Sequence, residues 1–387
     1  MKNFSYNAPT NLVFGKGSVS ELPKLIEGKY KKILLHYGGG SIKKNGVYDD
    51  VINALNKVDV EVFELGGVEP NPKLSLVRKG IELVKKEGID LILAVGGGSA
   101  IDSAKAIALG GASDTDVWDY FMRKANPQKA KDVAVVLTIP ATGSEASQGT
   151  VITNQDESLK LAVNHPILRP QFSIMDPEYT LSLPKDQTFA GVMDILSHVF
   201  ERYFTKEKHV ELTDALAEAT IRTVIDNAYK LLEDPNDYDA RAEIMLAGTI
   251  AHNGLLGIGR VDDWASHGLG HQLSALYGTT HGVSLAIMFP AWMKYVYRDN
   301  LEIFNKFAIN VFGVMEIGKS EEHIALEGIK EFEDFLKDIG LPTTLTSAGL
   351  PTDEFEKMAT SAVIHGSLGN LRKISKEDAI DIYKLAE

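Results

Sequence analysis

The feature that most constrains the fold of this 387-residue chain is an apolar run that passes straight into glycines and then into a helix. Leu91-Ile92-Leu93-Ala94-Val95 is followed by Gly96-Gly97-Gly98-Ser99, after which Ile101, Ala104 and Ile107 recur at helical spacing. A short unbroken apolar segment bounded by glycine reads as a strand buried on both faces. The same grammar repeats. Residues 33–37 form an apolar run before Gly38-Gly39-Gly40-Ser41, and Val47, Val51, Ile52 and Leu55 then keep helical period. Residues 60–65 read as a further strand, and a helix over 74–86 follows the turn Glu69-Pro70-Asn71-Pro72. Residues 133–139 form another strand, ending at Pro140-Ala141-Thr142-Gly143-Ser144. Strands separated by helices of this length imply an α/β domain with a mostly parallel sheet covered on both faces. Near Leu183-Pro184-Lys185-Asp186 the texture changes, and long helical patterns such as 209–232 and 240–255 dominate the remainder. The expected division is therefore an α/β domain over 1–185 and an all-helical domain over 186–387.

Charge and composition remove several function classes. With 40 basic and 53 acidic residues the formal charge is −13, which argues against nucleic acid or an anionic membrane as partner. No apolar run reaches the roughly eighteen residues that a membrane-spanning helix needs. The absence of cysteine excludes disulfides and confines any metal site to nitrogen and oxygen ligands. Residues 1–6 carry no apolar signal core, and a cytoplasmic location is the expectation.

Two patches in the helical half carry the ligand chemistry. The first contains Asp194 and His198; the second contains His267 and His271, with His281 shortly after. Asp194 and His198 are four apart, as are His267 and His271, so each pair shares a helix face. One carboxylate with neutral imidazoles suits a divalent transition metal such as Fe²⁺ or Zn²⁺. A lone Asp-x-x-x-His pair is also common on solvated helix faces, and the glycine-flanked second cluster is what tips the reading towards a metal. Spacing alone does not separate His271 from His281 as a ligand.

The glycine turns carry the second chemistry. Glycines between a strand and a helix let the backbone approach a phosphate, and the helix N-terminus supplies N–H donors. Gly96-Gly97-Gly98-Ser99 lacks the G-x-G-x-x-G spacing, so a tight turn with no ligand is the competing reading. With Gly38-Gly39-Gly40-Ser41 it gives two such turns at strand ends, consistent with a dinucleotide across the carboxyl edge of the sheet. Thr138, Thr142, Gly143 and Ser144 offer hydroxyl and backbone contacts after a further strand, or simply a capped polar loop.

Taken together, these motifs resemble the iron-containing alcohol dehydrogenases, in particular the butanol dehydrogenase and broad-range aldehyde reductase branch. The resemblance extends from Asn11-Leu12-Val13-Phe14-Gly15-Lys16-Gly17 through Gly96–Lys105 and Ala141-Thr142-Gly143-Ser144-Glu145 to Leu368-Gly369-Asn370. It implies an N-terminal dinucleotide-binding domain, a helical C-terminal domain and an active site in the cleft. It places the metal ligands on Asp194, His198, His267 and His281, and leaves His271 near the substrate as the candidate to pass a proton, with a supporting structural role as the alternative. It assigns the cofactor to Gly39, Gly40, Ser41, Asn71, Gly97, Gly98, Ser99, Asp102, Thr138, Thr142, Ser147 and Lys160. NAD-preferring relatives carry an acidic residue after the first strand of the fold; here that position is Gly39, with Lys43 and Lys44 nearby, which favours NADP(H) over NAD(H). Ser147 stands where a close branch has Asn, which puts one cofactor contact in doubt.

The chemistry implied is hydride transfer between a nicotinamide and the carbonyl carbon of a small aldehyde, with one divalent ion as Lewis acid and a homodimer as the assembly. Short and medium aliphatic aldehydes and primary alcohols are the expected substrates, and Trp264, Leu255, Leu256 and Phe289 are candidates for an apolar pocket, or ordinary helix packing. The rivals are a dehydroquinate synthase-like lyase or a polyol dehydrogenase on the same fold, and a non-catalytic metal- and nucleotide-binding regulator. A lyase of that kind would need basic residues for a phosphorylated substrate, and no such run lies beside the histidines.

Overall fold

The computed structural model describes all residues, Met1–Glu387. Eight strands are formed: β1 (Asn11–Phe14), β2 (Lys32–Gly38), β3 (Glu61–Val68), β4 (Leu91–Gly97), β5 (Asp132–Ile139), β6 (Gly149–Asn154), β7 (Leu159–Asn164) and β8 (Phe172–Met175). Helices α1 (Leu22–Ile26), α2 (Ser41–Lys44), α3 (Val47–Leu55), α4 (Leu74–Glu87), α5 (Gly98–Gly111) and α6 (Val117–Phe121) are interleaved with them. The remainder is helical: α7 (Lys185–Tyr203), α8 (Glu211–Glu233), α9 (Tyr238–His252), α10 (Ala265–Tyr277), α11 (His281–Val296), α12 (Leu301–Phe312), α13 (Glu321–Asp338), α14 (Phe355–Ala362) and α15 (Lys376–Leu385).

Six strands make one sheet in the order β1-β8-β5-β4-β2-β3, and every pairing in it is parallel. The apolar runs are buried on both faces because alternate side chains enter different cores. Leu91, Leu93 and Val95 of β4 pack with α1 and α3, while Ile92 and Ala94 pack with α4 and α5. β6 and β7 form a separate antiparallel pair, which polar positions such as Thr153, Asn154 and Lys160 hide from a strand reading. β1 and β8 are only four residues long and escape it for that reason.

The chain divides into two compact units. One contains Asn7–Pro184 with Asn236–Thr249; the other contains Met1–Tyr6, Lys185–Pro235 and Ile250–Glu387. The simple partition at 185/186 therefore needs two corrections. The N-terminus belongs with the helices, because the Met1 ammonium donates to the Lys208 carbonyl at 2.8 Å and the Lys2 amide to that of Gly259 at 2.7 Å. Most of α9 belongs with the sheet, because Met245 is part of its apolar core and the Thr249 hydroxyl donates to Glu145. In the helical unit, Phe200 of α7 meets Phe289, Phe307 and Phe332 edge-on, with ring centroids 5.0 to 5.5 Å apart. This core grips α7, which is buried at every position from Thr188 to Tyr203.

Candidate functional site

A helix buried on all sides is expected to be apolar all round. α7 is not, since Asp194, Ser197, His198 and Glu201 make a polar stripe at i, i+3, i+4 and i+7. Ligand atoms of Asp194, His267 and His281 lie within 4.8 Å of one another; the first two residues are buried and His281 is half-buried. His281 opens α11, and its Nε2 is 3.8 Å from Asp194 Oδ1. The closeness has a backbone cause. A Cβ on Gly282 would stand 1.9 Å from the Ala190 carbonyl oxygen, so only glycine lets α11 approach α7 one turn before Asp194.

His198 is adjacent but outside that group of three. Its Nδ1 donates to the Asp194 carbonyl at 2.8 Å, which leaves the ring lone pair on Nε2. Its ring centroid lies 4.8 Å from that of His267 and 4.2 Å from that of His252. Burial, with His267 and Arg202 close by, drives its pKa well below the ordinary histidine value, so the ring is neutral. The His271 ring is 5.2 Å from His281 and 6.3 Å from His267. Trp264 begins α10 from a left-handed conformation, φ 68°, and its ring lies 5.0 Å from that of His267 with the Arg202 guanidinium 4.9 Å from its own centre. Phe289 lies 6.3 Å from the His267 ring but sits in the aromatic core, and Leu256 is fully buried.

Glu201 completes this arrangement. It is 1% exposed, and its Oε1 accepts from His267 Nδ1 at 2.6 Å and from the His267 amide at 3.1 Å. Oε2 accepts from the Trp264 amide at 2.5 Å. Burial raises the pKa of the carboxyl, and the N–H donors of His267 and Trp264 pull it back towards the ionised form.

The sheet unit presents a different surface. β2 and β4 are neighbours, yet the chain leaves them in opposite directions, to β3 and to β5. That is the switch point at which open parallel sheets hold ligands, beyond the carboxyl ends of their strands. Gly38-Gly39-Gly40 and Gly96-Gly97-Gly98 both lie there. No side chain caps the N-terminus of α5, which begins at Gly98 and Ser99. A Cβ on Gly98 would meet Thr142 Cγ2 at 2.3 Å, so the loop after β5 packs directly on this turn. A Cβ on Gly39 would have nothing within 4 Å. Gly40, at φ 109°, leads into Ser41. Asn71 Oδ1 accepts from Lys160 Nζ at 2.8 Å, and Thr138 lies buried near the end of β5.

Asp102 and Ser147, both expected near the cofactor, are tied into the loop that follows β5. Asp102 is buried; Oδ1 accepts from the Ser144 hydroxyl at 2.6 Å and Oδ2 from the Val151 amide at 2.9 Å, while burial raises its pKa. Ser147 is 2% exposed, and its carbonyl accepts from Lys105 at 2.9 Å. Lys105, which no sequence pattern singles out, also donates to the carbonyls of Ser144 at 2.6 Å and Gly149 at 2.9 Å; burial lowers its pKa to about 8. These residues fasten the loop over 142–149. Lys43, expected to help a 2′-phosphate, has its ammonium 3.4 Å from Glu64 and over the rings of Tyr37 and Tyr48.

Comparison with known proteins agrees with both halves of this picture. Residues 9–177 match the model of the iron-containing alcohol dehydrogenases, and residues 188–386 match the C-terminal domain of the Fe-containing alcohol dehydrogenase family. The chain belongs to the iron-containing alcohol dehydrogenase family. It is 44% identical over 384 residues to a probable NADH-dependent butanol dehydrogenase of Bacillus subtilis, with 99% of each chain covered. It is 36% identical to an NADPH-dependent aldehyde reductase of Escherichia coli, with 100% of each covered. The crystal structure of an NADH-dependent butanol dehydrogenase A from Thermotoga maritima superposes with a TM-score of 0.97 at 43% identity, covering 100% of this chain and 99% of that one. The family places the chain on its butanol dehydrogenase and aldehyde reductase branch, and with that it is an NAD(P)H-dependent oxidoreductase. Neither Glu201 nor His252 was found from sequence. Glu201 left a signal, seven residues after Asp194 on the same helix face; His252, the last residue of α9, left none.

Proposed function

We propose that this enzyme interconverts short and medium aliphatic aldehydes and primary alcohols, using one divalent ion, Fe²⁺ or Zn²⁺, and NADPH at least as readily as NADH. The observation that carries the reading is the buried convergence of Asp194, His267 and His281 within 4.8 Å, with His267 backed by Glu201. The donor set fits such an ion, being one carboxylate and neutral imidazoles with no thiolate. His198, whose lone pair lies on Nε2, is the fourth ligand proposed.

When bound, the ion supplies Lewis acidity to the substrate oxygen and the nicotinamide supplies or receives the hydride. The chain's own residues do the rest. Asp194, His198, His267 and His281 hold the ion. His271, half-buried beside His281, carries the proton to or from the substrate oxygen, directly or through water. Trp264 gives the cluster an apolar wall that limits water. The uncapped start of α5 at Gly98 and Ser99 receives the pyrophosphate; the loop over Gly39, Gly40 and Ser41 receives the adenosine ribose, with Asn71, Thr138, Thr142 and Lys160 as further contacts.

The NADPH preference rests on Gly39, where an excluding carboxylate would stand and where space is open. Relatives in the family include both NADH- and NADPH-dependent enzymes, so the ratio of the two kcat/KM values is the measurement that decides, and a tenfold preference for NADH, about 1.4 kcal/mol, would overturn it. An apolar pocket discriminates by only about 1–3 kcal/mol per methylene, so breadth over propanal, butanal and hexanal is expected. Activity confined to one phosphorylated substrate would refute this.

The assembly we propose is a homodimer. β1 is an edge strand with β8 on one side only, and Leu12 and Phe14 are 38% and 42% exposed. An open apolar edge is suited to antiparallel pairing with its own copy about a two-fold axis. Leu12→Lys is expected to shift the mass in solution from dimer to monomer. No helix is long and apolar enough to cross a membrane; the cysteine-free composition supports a cytoplasmic location.

A further inference from the structure

A buried carboxylate that touches a candidate ligand can be a helix cap, a ligand support, or both. Glu201 makes three contacts, and all are to the first turn of α10. Two are to main-chain N–H groups, of Trp264 and His267; the third is to the ring of His267 itself. A cap alone requires only the first two. The third decides the chemistry of the ring. With Nδ1 as donor at 2.6 Å, the lone pair is on Nε2, and an imidazole that shares its Nδ1 proton with a carboxylate is a more basic donor.

We propose that Glu201 is a positioning residue for the divalent ion, fixing His267 in the Nδ1–H tautomer and raising its donor strength, so that the affinity for the ion is set from outside the ligand set. The proposal rests on the metal reading above. Geometry separates Glu201 from the other carboxylates near α10. Asp263 accepts from the amides of Ala265, Asn370 and Leu371 and makes no ring contact, which is what capping alone looks like. Glu201 also arises from α7, the helix that carries Asp194 and His198. One helix therefore provides two ligands directly and orients a third that lies seventy positions away in sequence from Ser197, the residue between them on the same stripe.

The test uses the full-length enzyme stripped with a chelator and titrated with Zn²⁺. The unmodified chain is expected to take up one ion. Glu201→Gln, which has one acceptor oxygen where the carboxylate has two, is expected to lower the melting temperature without metal and, beyond that, to bind the ion about 10–100-fold more weakly, while its affinity for NADPH stays close to that of the unmodified chain. The gain in melting temperature on adding Zn²⁺ should shrink in step. If Glu201 is only a cap, the variant melts lower with and without metal and its Zn²⁺ affinity is unchanged, which overturns the proposal. If the unmodified chain takes up no ion, the metal reading itself fails, a separate outcome. Should Glu201→Gln not fold, the unmodified chain still decides. In ¹⁵N-histidine-labelled, Zn²⁺-loaded protein, a hydrogen-bonded Nδ1 proton that disappears in His267→Ala is expected. A His267 ring protonated on Nε2 instead refutes the assignment.

Discussion

The two units of this enzyme prepare their sites by opposite means. The sheet unit offers main chain: two glycine turns beyond β2 and β4, the uncapped first turn of α5, and a loop over 142–149 held by the Lys105 ammonium and the Asp102 carboxylate. The helical unit offers side chains: a carboxylate and imidazoles from α7, α10 and α11, brought together by a glycine-tight helix crossing. Buried charge serves both, but in the first it fixes the path of the backbone, and in the second it fixes the tautomer of a ring. A site made of N–H groups tolerates side-chain change so long as the loop keeps its shape, whereas a site made of ligands fails with one atom.

That contrast can be broken at its strongest point by His267→Ala. Bound metal and turnover should vanish together, by about a thousandfold or more if the ion supplies several kcal/mol. NADPH binding, measured by fluorescence, should persist. Full turnover in the variant, or in metal-free enzyme, would refute the division.

The matching change in the sheet unit is Lys105→Met. It leaves the carbonyls of Ser144, Ser147 and Gly149 without their donor and Asp102 without a countercharge. Stripping one partner from a buried charged network costs about 3–5 kcal/mol. Hydrogen exchange in residues 142–149 should rise and nucleotide affinity should fall, with Zn²⁺ uptake unaltered. Unchanged exchange in that loop would show that the ammonium does not hold it.

A pH titration sharpens the comparison. His36 is buried, donating from Nδ1 to the Leu65 carbonyl at 2.7 Å and accepting at Nε2 from Ser103 at 2.8 Å, and desolvation lowers its pKa from 6.5 to about 4. Between those values the unfolded chain binds a proton that the folded chain refuses, so stability falls as pH drops from about 6.5 to about 4, by about 3 kcal/mol in all. His36→Gln should flatten that slope in denaturant titrations of the sheet unit; an identical slope would assign it elsewhere.

The smallest effect expected is from Gly39→Asp. The new carboxylate enters open space and should weaken NADPH selectively, by about tenfold or 1.4 kcal/mol, leaving NADH close to its former affinity. Equal loss of both cofactors would mean that the loop was distorted rather than recharged.

How much of this was legible follows from distance along the chain. Asp194 with His198, and the glycines at the ends of β2 and β4, are local patterns, and the sequence alone brings them into view. The all-parallel sheet follows from apolar runs that are buried on both faces. Glu201 was within reach at the same helical period, but a glutamate on a helix is ordinary until the helix is seen to be buried. Lys105 and Asp102 could not be read, because their partners lie 39 to 49 residues away and a lysine in an amphipathic pattern looks exposed. The neighbour of Lys43 was hidden for the same reason, since Glu64 sits on the next strand. The place of α9 with the sheet depends on Met245 and Thr249, whose helical pattern says nothing about which core they enter.

The crossing at Gly282 and Ala190 has an entropic meaning as well as a geometric one. Because the Asp194-to-His281 spacing is set where two main chains touch, the entropy of gathering these two side chains is met when α7 and α11 pack during folding, not when a ligand arrives. Little ordering of the main chain remains to be done on binding, so the folding of a helix pair is also the preparation of a site.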